Sequence, residues 1–229
     1  MELIRRGKVK SVYDNADGSV IIQFRDDITA GNGAKHDIIE GKGILLNEIN
    51  EIFFNLLNSH GVATHYVKKF SANAFKAKKV QIIPLEVVVR NYAAGSFCKR
   101  YGIEKGKKLE PIVEFFLKDD ALEDPLICKN VAALLGYATF AQLDRIEQIA
   151  LNVNQILFDF TRNHGILLAD FKIEVGFCDN TILVADEISP DTCRFWDAET
   201  GASLDKDIYR HSEGDPLIGY REVLRRISS

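Results

Sequence analysis

No hydrophobic run in the 229 residues approaches the length of a bilayer-spanning helix. The chain opens almost at once on a strand pattern, which is expected to leave no room for a signal peptide. Cysteine is sparse: Cys98, Cys128, Cys178 and Cys193 are scattered, with no CxxC pair, so neither a disulfide framework nor a zinc site is expected. The five histidines show no ligand spacing either. Positive charge is not in excess, since 29 Lys and Arg against 33 Asp and Glu leave a net charge of −4. That balance argues against nucleic acid or an anionic membrane as a partner, and the local basic cluster Lys76, Lys78 and Lys79 does not overturn it. No internal repeat or low-complexity linker is visible. What is present is a 46% hydrophobic chain, enough to bury a substantial core as one large domain or two small ones sharing a cleft. A soluble cytoplasmic protein is expected.

Apolar periodicity and turn residues place the main elements. Val9–Tyr13 and Val20–Phe24 flank the turn Asn15-Ala16-Asp17-Gly18 and read as a hairpin. Ile28–Gly43 is polar and glycine-rich, a loop by composition. Leu45, Ile49, Ile52, Phe53 and Leu56 recur at helical spacing between Ile44 and His60, with Gly61 as the stop. Strand patterns follow at Thr64–Phe70, Phe75–Ile83 and Leu85–Asn91, and Pro84 between the last two is a candidate hinge or switch between sheets. Thr139 and Gln142 form a capping box for a helix running to His164. Asp215-Pro216 supplies an N-cap and first-turn proline for a last helix through Ile227. The expectation is an α+β protein with a β-rich N-terminal lobe over residues 1–84, an α+β C-terminal lobe over 85–229, and a cleft between them.

The most informative stretch is Ile166–Asp197. Two runs rich in Ile, Leu and Val flank a polar turn at Cys178-Asp179-Asn180-Thr181, yet the runs carry Asp170, Lys172, Glu174, Asp186 and Glu187. Alternate residues on a strand face the same way, so Asp170, Lys172 and Glu174 form a charged row. With Asp179-Asn180-Thr181 as the loop, Glu174 falls opposite Asp186. Like charges directly opposite are destabilising, and a cation between them is the natural remedy. Two carboxylates suit Mg²⁺, which completes its shell with water and substrate phosphates. The plain alternative is a solvated hairpin face.

Other groups have two readings each. Lys8 and Lys10 share a strand face and suit either phosphate binding or a solvent-exposed basic strand. Arg90 ends an apolar strand, and Ser96 closes the small-residue turn that follows. A guanidinium there suits bidentate capture of an oxyanion, with Ala93, Ala94 and Gly95 letting backbone N–H groups approach; a structural arginine paired with a carboxylate such as Glu86 is the alternative. Lys118 precedes Asp119-Asp120 and could pair with them. Asp191 and Arg194 lie after the hairpin, with Pro190 restricting the chain before Asp191, while Phe195 and Trp196 read as core anchors for that loop.

Several ordered blocks resemble one family, the SAICAR synthetases of purine biosynthesis. They are Gly7-Lys8-Val9-Lys10-Ser11-Val12-Tyr13, Arg25-Asp26-Asp27-Ile28-Thr29-Ala30, IPLEVVVRNYAAGS, FFLKDDALEDP, ADFKIEVG, DEISPDTCRFWD and DKDIYR, nearly end to end. Val175 stands where the family usually has Phe, and Gly31-Asn32-Gly33 replaces other residues after Ala30; neither departure removes a charged group. The resemblance implies a two-lobed fold with an ATP site in the cleft. It implies an amide-forming ligase, a homodimer, joining carboxyaminoimidazole ribonucleotide (CAIR) to L-aspartate with ATP. It further implies Lys8, Lys10, Lys118 and Glu174 at the nucleotide, Glu174 and Asp186 on Mg²⁺, and Lys172 and Asp170 at the reacting centre. Arg90, Ser96, Asp191, Arg194 and Arg210 are implied at the substrates, Arg210 through the block Asp205-Lys206-Asp207. Two rivals stay open: a small-molecule kinase, which would release a phosphorylated product, and a non-catalytic nucleotide-binding module.

Overall fold

The computed structural model describes all 229 residues. The chain begins with β1 (Glu2–Arg6), β2 (Lys10–Asp14) and β3 (Ser19–Phe24), followed by a separate hairpin of β4 (Asp27–Ala30) and β5 (Lys35–Ile38). Helix α1 (Lys42–Ser59) leads to β6 (Tyr66–Ser71) and β7 (Ala74–Lys78), and these strands complete a five-stranded antiparallel sheet ordered β1-β2-β3-β7-β6.

From β8 (Gln81–Tyr92) onward the chain builds a second antiparallel sheet. Its elements are α2 (Gly95–Tyr101), β9 (Lys108–Leu117), β10 (Leu126–Ile127), α3 (Lys129–Leu134), α4 (Phe140–Asn163), β11 (Ile166–Cys178), β12 (Thr181–Ala185) and β13 (Cys193–Asp197), then α5 (Asp207–Arg210) and α6 (Pro216–Ile227). The order is β10-β9-β8-β11-β12, with β13 also on β11. One edge of β11 is covered by β8; the other is shared, β13 pairing with residues 166–171 and β12 with 174–178. The loop from 186 to 192 therefore leaves the sheet beside Lys172, whose N–H donates to the Thr192 carbonyl at 2.9 Å.

Local chemistry explains the long helices. The Thr139 side chain accepts from the Gln142 N–H and the Gln142 side chain returns to the Thr139 N–H, so two orphan donors of α4 are satisfied. Leu143, Ile146, Ala150, Val153 and Leu157 form its buried stripe. Asp215 caps α6 by accepting from the Leu217 N–H at 2.9 Å, with Pro216 in the first turn. A continuous cluster of 38 buried side chains includes Phe24 and Phe75 of the first sheet, Phe53 of α1 and Phe195 of β13, so the two sheets share one core. Phe195 stacks on Phe53 with centroids 5.8 Å apart, the anchoring expected of it, and Trp196 is buried alongside Tyr92.

Two expectations need correction. Residues 28–43 are not simply a loop: β4 and β5 form a hairpin of four-residue strands, with Ile28 as its one buried residue, too short to show apolar alternation, turning through Gly31-Asn32-Gly33 with Asn32 at φ 53°. Pro84 does not separate two strands. It lies inside β8, and the change of sheet falls at Lys79-Val80 between β7 and β8. Pairing with β11 jumps there from Glu174↔Glu86 to Gly176↔Ile82, an irregularity that tolerates a residue without an N–H. The short helices α2, α3 and α5 carry too few turns for periodicity to reveal them. Val175, the departure from the family pattern, is fully buried opposite Val184.

At that irregularity a Cβ on Gly176 would sit 2.9 Å from the Gln81 carbonyl oxygen, a backbone atom that cannot swing aside. Gly176→Ala is expected to destabilise the protein by about 1–3 kcal/mol, measured by urea denaturation. An unchanged midpoint would show that β8 and β11 can separate there without cost.

Candidate functional site

Between the two sheets lies a cleft of about 1040 Å³. It brings together the candidate site residues: Lys8 from the β1–β2 turn and Lys10 of β2, Arg90 of β8, Ser96 of α2 and Lys118 just past β9, the β11 row, and Asp186, Asp191, Arg194 and Arg210. Asp170 sits in register with Arg90 of β8 on one side and Arg194 of β13 on the other. Arg90 Nη1 donates to Asp170 Oδ2 at 2.7 Å, and Arg194 Nη1 lies 3.0 Å from both Asp170 oxygens. Asp170 thus holds two guanidiniums, and both its oxygens are occupied.

Arg90 is itself only 2% exposed. Its Nε donates to Glu114 at 2.5 Å, so two of its donor edges are spent on protein carboxylates, neither of them Glu86. The remaining Nη2 is 3.5 Å from Ser96 Oγ. Ser96 Oγ also accepts from Arg100 Nη1 at 3.0 Å, and Arg100 Nη2 reaches Glu114 at 2.5 Å. The fork expected for an oxyanion is therefore used to fix the arginine, leaving one edge for a ligand. Gly95 serves Arg194: a Cβ there would lie 2.5 Å from Arg194 Nη2, and its left-handed backbone at φ 52° also disfavours a side chain. Arg194 Nε donates to Asp207 at 2.9 Å, and Arg210 Nη1 to the other Asp207 oxygen at 2.6 Å.

The half of the cleft that carries the lysines departs from the expected register. Cys178 pairs with Thr181, so the turn is the two residues Asp179-Asn180, and Glu174 faces Ala185 rather than Asp186. A one-residue slip should turn Asp186 to the opposite face. Asp186, however, lies just past β12 in a left-handed conformation, φ 66°, and its carboxylate returns to the cleft. Lys172 Nζ stands 3.5 Å from Glu174 and 3.6 Å from Asp186. The like-charged pair across the ladder is instead Glu174 and Glu86, and Lys172 relieves it by donating to Glu86 at 2.9 Å.

Lys118 donates to Glu174, and Lys10 to Asp186 and, at 2.8 Å, to Glu187. Burial opposes charge on Lys172 and Lys10, but Asp186 with Glu174 and Glu86, and Asp186 with Glu187, hold both above the ordinary lysine range. Burial likewise opposes charge on Asp186, and Lys10, Lys172 and Lys118 override it, keeping that carboxyl well below its usual range. Lys10 and Lys172 stay protonated and act as fixed cations. Lys8 donates to Asn32 and pairs with Asp120 at 2.9 Å on the exposed rim.

Asp191 lies deeper than expected for a substrate contact. Tyr220 donates to its Oδ1 at 2.6 Å, and the fully buried Lys42 ammonium is 2.7 Å from Oδ2. It ties the loop to α1 and α6. Sequence reasoning passed over Lys42, Glu86 as the partner of Lys172, Glu187 as the partner of Lys10, and Glu114. Lys42, Glu86 and Glu114 sit in otherwise largely apolar elements and Glu187 precedes Ile188 in the loop after β12; all four are buried or half-buried, and a charge set among apolar neighbours is the one signal that could have marked them.

A two-sheet cleft in which part-buried lysines and buried arginines converge on carboxylates is of the class built to take small anionic ligands. Residues 3–227 match the family model described as SAICAR synthetase. The chain is 51% identical over 223 residues to the phosphoribosylaminoimidazole-succinocarboxamide synthase of Methanocaldococcus jannaschii, covering 96% of this chain and 92% of that protein. It is similar to the crystal structure of the same synthase from Ehrlichia chaffeensis (TM-score 0.97, 41% identity, 99% and 98% of the chains). A SAICAR synthetase solved in complex with ADP gives a TM-score of 0.95 at 46% identity over 97% and 96% of the chains. The chain belongs to the SAICAR synthetase family and is an ATP-dependent ligase of purine biosynthesis.

Arg90→Lys is expected to be far from conservative, because an ammonium can satisfy Glu114 or Asp170 but lacks the fork to hold both. A loss of about 1–3 kcal/mol follows from the buried carboxylate left short of a donor. Chemical denaturation measures it, and a loss below the error of the method would show that Arg90 serves ligands only.

Proposed function

We propose that this chain joins the carboxylate of CAIR to the amine of L-aspartate, giving SAICAR, ADP and phosphate. A carboxylate is a poor electrophile because its charge is delocalised and oxide is its leaving group. Transfer of the γ-phosphoryl group of ATP to a carboxylate oxygen gives an acyl phosphate and ADP. The aspartate amine then attacks the carbonyl carbon, loses a proton, and expels phosphate as the C–N bond forms. Such chemistry depends on positioning and charge neutralisation. The observation that carries the reading is the cluster of four lysines, Lys10, Lys118, Lys172 and, at the rim, Lys8, distributed over Glu86, Glu174, Asp186, Glu187 and Asp120. Phosphates arriving there would compete for cations that are already charged.

In this reading residues 1–84 form the nucleotide-binding lobe and 85–229 the lobe carrying substrate and metal groups. Val12 and Ile22, register partners on β2 and β3, line the cleft with Ile82 and offer an apolar wall for a base. Mg²⁺ fits the donor set: Glu174 and Asp186 already share one cation, and no group of three or more ligating side chains forms, as suits an ion that relies on water and phosphate oxygens. Those two carboxylates would hold it, and it would neutralise phosphate charge. Arg90, Ser96, Arg194 and Arg210 are assigned to the ribonucleotide phosphate and carboxylate, with Asp170 orienting the first and third of these rather than taking a proton. Asp191 is assigned to holding the loop that carries them. No helix is long and apolar enough to cross a membrane. A cytoplasmic homodimer is the working form proposed, on the family resemblance.

The direct test is ADP release with CAIR and aspartate added separately and together. Release requiring both supports the ligase; release of a stable phosphorylated product with CAIR alone would favour a kinase. Lys172→Met should lower turnover roughly 10²–10³-fold, with ATP and CAIR affinities by calorimetry changed only a few-fold. Near-normal turnover would remove Lys172 from the reacting centre, and lost binding with unchanged saturated turnover would make it a ground-state ligand.

A further inference from the structure

We propose that His65 is a positioning residue for the metal pair: its ring holds the left-handed backbone at Asp186 that brings the Asp186 carboxylate round to Glu174. This inference rests on the assignment of Glu174 and Asp186 to Mg²⁺ made above.

The two-residue turn at Asp179-Asn180 puts Ala185, not Asp186, across from Glu174. Continued extension would send the Asp186 side chain to the face away from Glu174. The reversal at φ 66° prevents this, and for a residue with a Cβ such a conformation persists only where its surroundings impose it. His65 supplies that restraint at three points. Its N–H donates to the Val184 carbonyl at 2.9 Å, its carbonyl accepts from the Lys78 N–H at 2.8 Å, and its Nε2 lies 3.1 Å from the Asp186 carbonyl oxygen. A carbonyl only accepts, so Nε2 carries the hydrogen. The same residue therefore joins the end of β7 in the first sheet to the exit of β12 in the second.

The ring has little freedom to let go. It is 2% exposed and packed against Phe54 and Phe75, with centroids 5.3 Å and 5.5 Å away. Neither His65 nitrogen needs to touch nucleotide, metal or substrate for this role. It acts through Asp186, as outer partners of metal ligands do when they fix a ligand's orientation.

The test uses Mn²⁺ as the probe ion, titrated into the full-length protein with ADP and followed by electron paramagnetic resonance, beside ADP binding in EDTA. His65→Phe keeps an aromatic ring in the cage and removes the donor. It should weaken Mn²⁺ binding about 10- to 100-fold, leave metal-free ADP binding within a few-fold, and raise KM for the metal–ATP complex more than it lowers kcat. His65→Gln, which returns an amide donor near the Nε2 position, should recover most of the Mn²⁺ affinity, whereas His65→Asn, too short to reach, should not. Unchanged Mn²⁺ affinity in folded His65→Phe, or no difference between Gln and Asn, would overturn the proposal. If His65→Phe does not fold, the Gln and Asn contrast decides it. Asp186→Asn separates the two levels of the argument. Normal Mn²⁺ binding in that variant removes the metal assignment and the role of His65 with it. Weakened binding there together with normal binding in His65→Phe removes the role of His65 alone.

Discussion

Asp170 and Glu174 are each less than 5% exposed on a strand that is hydrogen-bonded along both edges. Ionised carboxylates in such a place are costly unless cations and hydrogen bonds match them, and the rest of the cleft is arranged to do so. Neighbouring strands deliver Arg90 and Arg194 in register to Asp170. Lys118 and Lys172 converge on Glu174, and Lys172 at the same time separates Glu174 from Glu86. Removing one member of a buried set leaves its partner uncompensated, typically a loss of about 3–5 kcal/mol. The charged row on β11 is thus tied to the stability of the second sheet.

The pairs are not equal, and they differ in how firmly they are held. Arg90 is held by two carboxylates with almost no exposure, so it stays in place whether or not a ligand is bound. Lys8 pairs with Asp120 through side chains that are 42% and 69% exposed, an arrangement worth about 0–1 kcal/mol. Breaking that pair costs correspondingly little. The hairpin turn at Asn32 takes part in the same contact, its Nδ2 donating to the Asp120 carbonyl at 3.1 Å, so that loop closes over the rim through weak, exposed bonds.

Behind the charges, polar anchors fix the loop from 186 to 192. Asn50 of α1 accepts from the Ile188 N–H at 2.9 Å, Ser189 donates to Glu187 at 2.8 Å, and Lys42 and Tyr220 engage Asp191. Helices at opposite ends of the chain therefore hold one loop, and through it Asp186 and Arg194. A site assembled from both sheets stays together because its carrying segments are bonded to elements of each.

The amino-acid sequence by itself determined the capped helices at Thr139 and Asp215, the hairpin at Asn15–Gly18, and the charged row at Asp170, Lys172 and Glu174. Those depend on side-chain spacing within one element, and spacing is local. The ordered blocks carried the family, because block order is a property of the chain. Only the tertiary structure decided what each charge faces. It replaced a three-residue turn with a two-residue one, a difference of one position that nothing in Cys178-Asp179-Asn180-Thr181 distinguishes, and restored the Asp186 carboxylate by a backbone reversal held from His65, 121 residues away. It assigned Glu86 to Lys172 rather than Arg90, and gave Arg90 to Glu114 and Asp170, because cross-strand partners are set by register between strands far apart in the chain. Spacing along the chain says which way a side chain points; the pairing of distant strands, made by the shared core, says what it meets.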